Sequence, residues 1–311
     1  MQSNRPSAAP DYLTYPKRFT AYKWYKPLLV TLLAGVIYFG FSLVLMIFCY
    51  VLAANQGIDF QQLAASGYDN LDAYSVLGAL LSLGSIAIAI PALMLGNRII
   101  NYRSFSSYSS TRGGFNYAIF FKCFAASLIT VVLPIVVISL ITTQERGAVR
   151  FSTLGFIFCT VLVPLQCCAE EYVFRGHLMQ MFGSWIKFPV IPIILQTVFF
   201  AAAHPYNVTG VISVGIMGLV LGICAFITKG LESSCALHIA NNMTAFYLSG
   251  FGIGGVKTNV EITDLISVVI FIGLYLAFII FADKKLGWFN KIKKDDAAEF
   301  NAKKAARAAQ K

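Results

Sequence analysis

The chain has 311 residues, of which 58% are hydrophobic and 12% are charged, with a formal net charge of +10. Soluble domains carry about 25% charged residues, so this composition excludes an ordinary soluble globular protein. Apolar runs of roughly 18 or more residues are long enough to cross a bilayer as helices. We therefore predict an all-α integral membrane protein, a bundle of about eight transmembrane helices.

The predicted spans follow one another with short polar connections. In chain order they cover residues 27–54, 74–96, 115–143, 151–183, 188–204, 209–228, 231–249 and 263–282. The fourth is unusually long, and we expect it to continue towards Trp185 with a kink at Pro164. The chain thus divides into five parts: a basic N-terminal segment (residues 1–26), three helices (27–150), a core of four helices (151–250), a last helix (263–282) and a basic tail (283–311).

Basic residues concentrate at both ends of the chain and in the loop at residues 97–114, which contains Arg98, Arg103 and Arg112. The loop after the first span contains only acidic charges, including Asp69. The positive-inside rule then predicts both termini in the cytoplasm of a cell, which we expect to be bacterial. A basic cluster beside a membrane helix favours anionic lipid over nucleic acid as its partner. We expect the tail end, residues 297–311, to be a frayed helix or disordered, and residues 104–114 to form a flexible polar loop.

All seven cysteines fall inside predicted spans, without the spacing of a zinc site or a disulfide framework. Buried, small apolar side chains are the simplest interpretation. A nucleophilic Cys167 or Cys168 is disfavoured, because nothing in the sequence places a histidine against either thiol.

Polar residues inside the core helices mark the candidate site. Ionisable side chains are costly inside a membrane, and those that occur there usually serve a function. Glu170 and Glu171 are adjacent, and Arg175 follows Glu171 at the i,i+4 spacing of a helical ion pair. Glu170 points about 100° away from Glu171 on a helix. We therefore predict that Glu171 is structural and Glu170 is free to act, with His177 near the cytoplasmic interface.

Helix lengths predict which of these residues share a depth. If the fourth and fifth spans turn near Lys187, Glu170 and His204 lie equally far from that turn along antiparallel helices. His238 follows the turn at Lys229 by only eight residues, about 12 Å, against about 25 Å for Glu170. The sequence therefore predicts that Glu170 and His204 meet and that His238 is mismatched in depth.

These helices contain three motifs, Glu170-Glu171-x-x-x-Arg175, Phe200-x-x-x-His204 and His238-x-x-x-Asn242. Together they resemble the signature of the CPBP family of intramembrane metalloproteases. That family comprises the CAAX prenyl endopeptidases and bacteriocin-processing and self-immunity proteins. The resemblance covers residues 165–245. It implies an endopeptidase that hydrolyses a peptide bond in a membrane-associated protein or peptide.

The residues of the motifs suit hydrolysis. Glu170 would act as general base and His204 would orient the water, while His238 and Asn242 would face the developing oxyanion. Phe200 would shape the pocket. Glu170, His204 and His238 are also a possible zinc set, in which the metal lowers the pKa of bound water. The depth mismatch of His238 favours the metal-free alternative slightly.

Two other function classes fit the same residues. A non-catalytic relative, such as a membrane scaffold or a bacteriocin self-immunity protein, would use the polar centre structurally. A proton-coupled transporter would also place Glu and His inside the membrane. Against transport, the sequence has no visible inverted repeat.

Overall fold

The computed structural model of the chain describes residues 10–66, 71–143, 146–254 and 261–310. Arg5 and Lys311, which belong to the basic ends of the chain, and Asp69 of the acidic loop lie outside them. Within the described residues the chain is helical, and its β-contacts are limited to an isolated bridge between Ser110 and Gly230. The predicted all-α class is confirmed.

The long helices follow the predicted spans closely. They are α1 (Lys26–Asn55), α2 (Val76–Ile100), α3 (Tyr117–Thr142), α4 (Thr153–Trp185), α5 (Val190–Ala202), α6 (Val208–Thr228), α7 (Glu232–Gly250), α8 (Ile262–Phe281) and a C-terminal α9 (Asp296–Ala309). Short helical turns occupy Tyr15–Arg18, Phe60–Ala65 and Ser106–Ser109. Wider π-helical turns occur at Leu80–Gly84, Leu128–Val132, Glu171–Leu178 and Ala282–Leu286.

Six helices in the described residues are long and apolar enough to cross a membrane, namely α1, α2, α3, α4, α6 and the helix at Leu265–Leu286 that contains most of α8. Helix α5 has only 13 residues, about 20 Å against the roughly 30 Å of a hydrocarbon core. Helix α7 carries several polar residues, and its first half is buried in the protein. A multi-pass membrane protein is confirmed, but the predicted count of about eight spans is not.

The two ends of the described chain meet on one side of the bundle. Arg18 forms an ion pair with Asp295 at 2.9 Å, and the rings of Phe19 and Phe300 pack edge to face with centroids 5.4 Å apart. The tail is therefore helical, in agreement with one of the two predicted alternatives, and the disordered alternative is wrong for the described residues of α9. Asp295 caps this helix, and Phe300 gives it an apolar contact that composition alone does not reveal.

The segment between α2 and α3, residues 101–116, is largely buried instead of forming the predicted flexible polar loop. The side chain of Arg112 donates to Glu232 at 2.7 Å, in an ion pair almost completely excluded from solvent. The backbone of Leu231 donates to the carbonyl of Ser109 at 2.7 Å. Polar groups of this segment therefore form hydrogen bonds inside the protein, and these bonds hold the turn between α6 and α7 in the interior.

The same segment also holds α4. The buried guanidinium of Arg103 donates to the side chain of Gln180 and, at 3.2 Å, to the carbonyl of Gly176. It lies over the ring of Tyr108, with 3.3 Å between the guanidinium carbon and the ring centroid. Residues 101–116 thus connect α4 to the start of α7, the two helices on which most of the candidate site lies.

Candidate active site

Glu170 lies in α4 immediately before the π-helical turn at Glu171–Leu178. Such wide turns often occur at functional sites, because they alter the direction of neighbouring side chains. The Glu170 residue is 8% exposed, and its Oε2 atom is buried without a hydrogen-bond partner. Buried carboxylate oxygens normally have such partners, and the ring nitrogen that lies near this one is Nε2 of His238, at 3.3 Å.

His204 follows the last turn of α5, where Pro205 prevents the helix from continuing. Its Nδ1 lies 2.8 Å from the carbonyl of Phe200. Because a carbonyl only accepts, Nδ1 carries the proton, and the Nε2 of a neutral ring is an acceptor. This Nε2 lies 4.0 Å from Oε1 of Glu170, so the structure brings together the two residues predicted to share a depth.

His238 lies closer to Glu170 than His204 does, so the predicted depth mismatch was wrong. Its Nε2 lies 3.3 Å from Oε2 of Glu170. The prediction assumed that the α4–α5 and α6–α7 turns end at one level. Lys187 in the first turn is exposed, whereas Gly230 in the second is buried and bridged to Ser110. The inward position of the second turn brings His238 to the level of Glu170.

Glu171 has two partners. Its Oε1 accepts from Arg175 Nη1 at 2.9 Å and from His238 Nδ1 at 2.9 Å, and all three groups are buried. The ion pair was predicted from the helical spacing, and the bond to His238 was not. Because a carboxylate only accepts, it fixes the proton on Nδ1 and directs Nε2 towards Glu170.

Phe200 and Asn242 complete the predicted set. The buried ring of Phe200 has its centroid 4.7 Å from that of His204 and 6.0 Å from that of His238, so it packs between the two imidazoles. Asn242 lies one turn beyond His238 on α7, where its oxygen accepts from Asn241 at 3.1 Å. Glu170, His204 and His238 thus form one group, which Asn242 borders through its position on the helix.

Two supporting residues were missed by the sequence analysis. Gln196 is fully buried in α5, and its nitrogen donates to the carbonyl of Gly218 at 3.1 Å. The same carbonyl accepts from Arg175 at 3.1 Å. A side chain at Gly218 would meet the Phe200 ring at 2.9 Å. Two features of the sequence could have indicated these residues. Gln196 is a single glutamine in an apolar run, and Gly218 and Gly222 lie four positions apart on one face of α6.

Cys167 has a histidine neighbour that the sequence analysis did not foresee, because its thiol contacts His238. Its Sγ also lies 3.4 Å from the side-chain oxygen of Gln166, and the residue has no exposed surface. A thiol enclosed in this way cannot reach a substrate, so the contact adds no nucleophile to the site.

The proposed zinc set does not fit as it stands. In the neutral form of each ring, with the proton on Nδ1, Nε2 is the free nitrogen that a metal requires. However, the described residues contain no group of three or more His, Cys, Asp or Glu side chains arranged to hold a metal ion. The 4.0 Å between His204 Nε2 and Glu170 Oε1 exceeds the roughly 3.4 Å edge of a tetrahedron with zinc bonds of about 2.1 Å.

His177 is 2% exposed and lies at the edge of a cavity that also reaches Glu170. The place of His177 near the cytoplasmic interface stays a prediction. The cavity has a volume of about 390 Å³ and lies between α1, α2 and α4. Its lining is mostly apolar, and Glu170 is one of the residues that border it.

This geometry lies in a segment that known proteins share. Residues 150–244 match the family Type II CAAX prenyl endopeptidase Rce1-like. The resemblance predicted from the three motifs is confirmed. The chain is also 28% identical over 166 residues to the uncharacterized protein YyaK of Bacillus subtilis. That match covers 50% of this chain and 56% of the relative, little more than half its length. No solved structure matches the chain.

Proposed function

We propose that this protein is an intramembrane endopeptidase, similar to the CAAX prenyl proteases, that hydrolyses a peptide bond in a membrane-associated protein or peptide. One observation carries the proposal. The carboxylate of Glu170 lies between His238 Nε2, at 3.3 Å, and His204 Nε2, at 4.0 Å. All three residues lie in the segment that matches the protease family.

Water activation is assigned to Glu170 and His204. Both present acceptor atoms, and one water molecule between them satisfies both with its two hydrogens. The separation of 4.0 Å leaves space for such a bridge. As the water oxygen bonds to the scissile carbonyl carbon, its proton passes to Glu170. The carboxylic acid then returns this proton to the leaving amine as the carbon–nitrogen bond breaks.

Oxyanion stabilisation is assigned to His238 and Asn242. Glu171 accepts from His238 Nδ1, and we assign a second proton to Nε2, so that the charged ring presents a donor on the side of Glu170. The amide nitrogen of Asn242 supplies a second donor from the same face of α7. Loss of one oxyanion donor typically lowers kcat by about 10²–10³-fold.

The distribution of charge along the chain and the contacts between its two ends support a location for the reaction. Both ends of the chain are assigned to the cytoplasmic side of a bacterial cell membrane, where α9 and the N-terminal segment meet lipid headgroups. The partners are membrane lipid and a membrane-associated substrate, with no role for nucleic acid. No metal is assigned to the reaction, because the carboxylate and the two imidazoles do not form a three-ligand shell.

The test is turnover of a defined peptide by purified protein in liposomes. The probe is an internally quenched peptide that ends in a CAAX sequence with an S-farnesyl cysteine, and the same peptide without farnesyl is the lipid control. Wild type is expected to cleave the probe, and Glu170→Gln is expected not to. Equal signals from both proteins would contradict a protease that uses Glu170.

The same preparation separates the alternative functions. A scaffold or self-immunity protein gives no cleavage with any peptide, whereas its fold and its melting temperature stay intact. A proton-coupled transporter acidifies the lumen of liposomes in a manner that depends on Glu170. Peptide turnover without proton movement excludes both alternatives.

A further inference from the structure

Both ends of the chain contribute lysines to one region of the surface, beside the start of α1. Lys23 and Lys26 come from the N-terminal side, and Lys304 comes from α9. The side-chain nitrogen of Lys304 lies 3.5 Å from the carbonyl oxygen of Asn101 at the end of α2, and α2 packs along α1. The positive charges of Lys304 and Lys23 both act on that of Lys26. These three residues are called the lysine cluster below.

No acidic side chain in the described part of the chain forms an ion pair with the lysine cluster. Glu299 of α9 pairs with Lys303 instead, at 2.6 Å. Helix α9 is nevertheless held in place, because Asn301 accepts from the backbone N–H and the hydroxyl of Thr20 at 2.8 and 3.0 Å. The fold therefore holds like charges close together, and a bound anion would remove the repulsion between them.

Aromatic side chains place the lysine cluster at the level of lipid headgroups. Trp24 and Tyr25 directly precede Lys26 and are 66% and 42% exposed. Trp185 at the end of α4 is also exposed, and its indole nitrogen donates to the carbonyl of Trp24 at 2.8 Å. Tryptophan and tyrosine concentrate where a membrane meets water. The anion that fits this position is therefore the phosphate of a lipid headgroup.

We propose that the lysine cluster binds the phosphate of one anionic phospholipid, such as phosphatidylglycerol, which joins α9 to the start of α1. A phosphodiester has two free oxygens, so it can accept from two ammonium groups at once. General attraction of a basic surface to a charged membrane needs no defined site, whereas the lysine cluster is expected to hold one lipid per protein. This site is separate from the proposed protease activity, since none of the three lysines lines the cavity that reaches Glu170.

The test is native mass spectrometry of the full-length protein in detergent, titrated with phosphatidylglycerol or phosphatidylcholine. Wild type is expected to hold one phosphatidylglycerol more tightly than any further copy and more tightly than phosphatidylcholine. Lys304→Gln is expected to weaken this binding about fivefold, and Lys26→Gln with Lys304→Gln about 25-fold, from the usual contribution of a lysine near an anionic lipid surface. Lys284→Gln with Lys285→Gln after α8 changes the net charge equally and is expected to keep wild-type affinity.

Thermal melting of the same proteins checks their folding and the source of the phosphate. Without added lipid, Lys26→Gln with Lys304→Gln is expected to melt at or above the wild-type temperature, because repulsion is removed. Phosphatidylglycerol is expected to raise the melting temperature of wild type but not of this variant. Equal affinity of the two double variants for phosphatidylglycerol overturns the proposal, as does equal stabilisation of wild type by phosphatidylcholine or by inorganic phosphate. Turnover of the farnesylated peptide tests the protease function separately.

Discussion

The carboxylate of Glu171 lies 2.9 Å from Nδ1 of His238, across 67 positions of sequence. Helical spacing predicted Glu171 only as the partner of Arg175. The additional bond makes it an orienting group for the imidazole next to Glu170. The adjacent glutamates therefore differ in their roles, because one faces the cavity and the other is enclosed between an arginine and a histidine.

Glu171→Gln is expected to lower both stability and activity. It leaves the buried charge of Arg175 without a counter-ion, which costs about 3–5 kcal/mol. Thermal unfolding in detergent and peptide turnover measure the two effects. A second variant, Glu171→Leu with Arg175→Met, removes both charges and should recover part of the stability without activity. Wild-type melting of Glu171→Gln would contradict this account.

Glu170→Gln is expected to show the opposite pattern. Loss of the general base should lower turnover by about 10²–10⁴-fold, whereas melting should stay close to wild type, because the side-chain oxygen of glutamine can still accept from His238 Nε2. The same two assays test it. If Glu170→Gln unfolds early and Glu171→Gln stays active, the two roles have been exchanged.

The sequence predicted the local features of the site well. Apolar runs predicted every long helix up to α8, and i,i+4 spacing predicted the Glu171–Arg175 pair. The predictions from sequence failed where contacts between distant parts of the chain determine the structure. Residues 101–116 are rich in Ser and Gly, and nothing local indicates that Arg112 has a partner at Glu232. Because that contact draws the α6–α7 turn inwards, the depth of His238 could not be calculated from helix lengths alone.

Removal of metal is expected to leave the activity unchanged. Treatment with a strong chelator, followed by metal analysis of the active preparation, should give full turnover at far less than one zinc per chain. His204→Ala should lose activity without any change in metal content. Stoichiometric zinc that disappears together with activity in this variant would establish the metal mechanism instead.

Gly218→Ala is expected to impair activity. The added methyl group would lie 2.9 Å from the Phe200 ring and 3.3 Å from the guanidinium of Arg175, so the ring between the two histidines must move. Overpacking of this kind costs about 1–3 kcal/mol. Gly273→Ala in α8 is the matched control, since its methyl group meets nothing within 4 Å. Equal effects of both variants on turnover would contradict a positioning role for Gly218.

Glu232→Gln is expected to destabilise the protein far more than Asp72→Asn. Glu232 and Arg112 form a buried pair, with side chains 0% and 2% exposed, whereas Asp72 and Arg150 are 44% and 49% exposed. Breaking a buried pair costs about 3–5 kcal/mol, and an exposed pair contributes about 0–1 kcal/mol. Melting temperatures compare the two variants, and similar shifts would mean that the pair does not anchor the α6–α7 turn.

The Arg112–Glu232 pair also sets an order for synthesis of the protein. Arg112 leaves the ribosome 120 residues before its partner, so α3, α4 and α6, which are long enough to cross a membrane, are synthesised while its charge still lacks that partner. The segment at residues 101–116 can close only when the start of α7 arrives. A chain truncated before Glu232 therefore retains several membrane helices but lacks the carboxylate that neutralises the buried charge of Arg112.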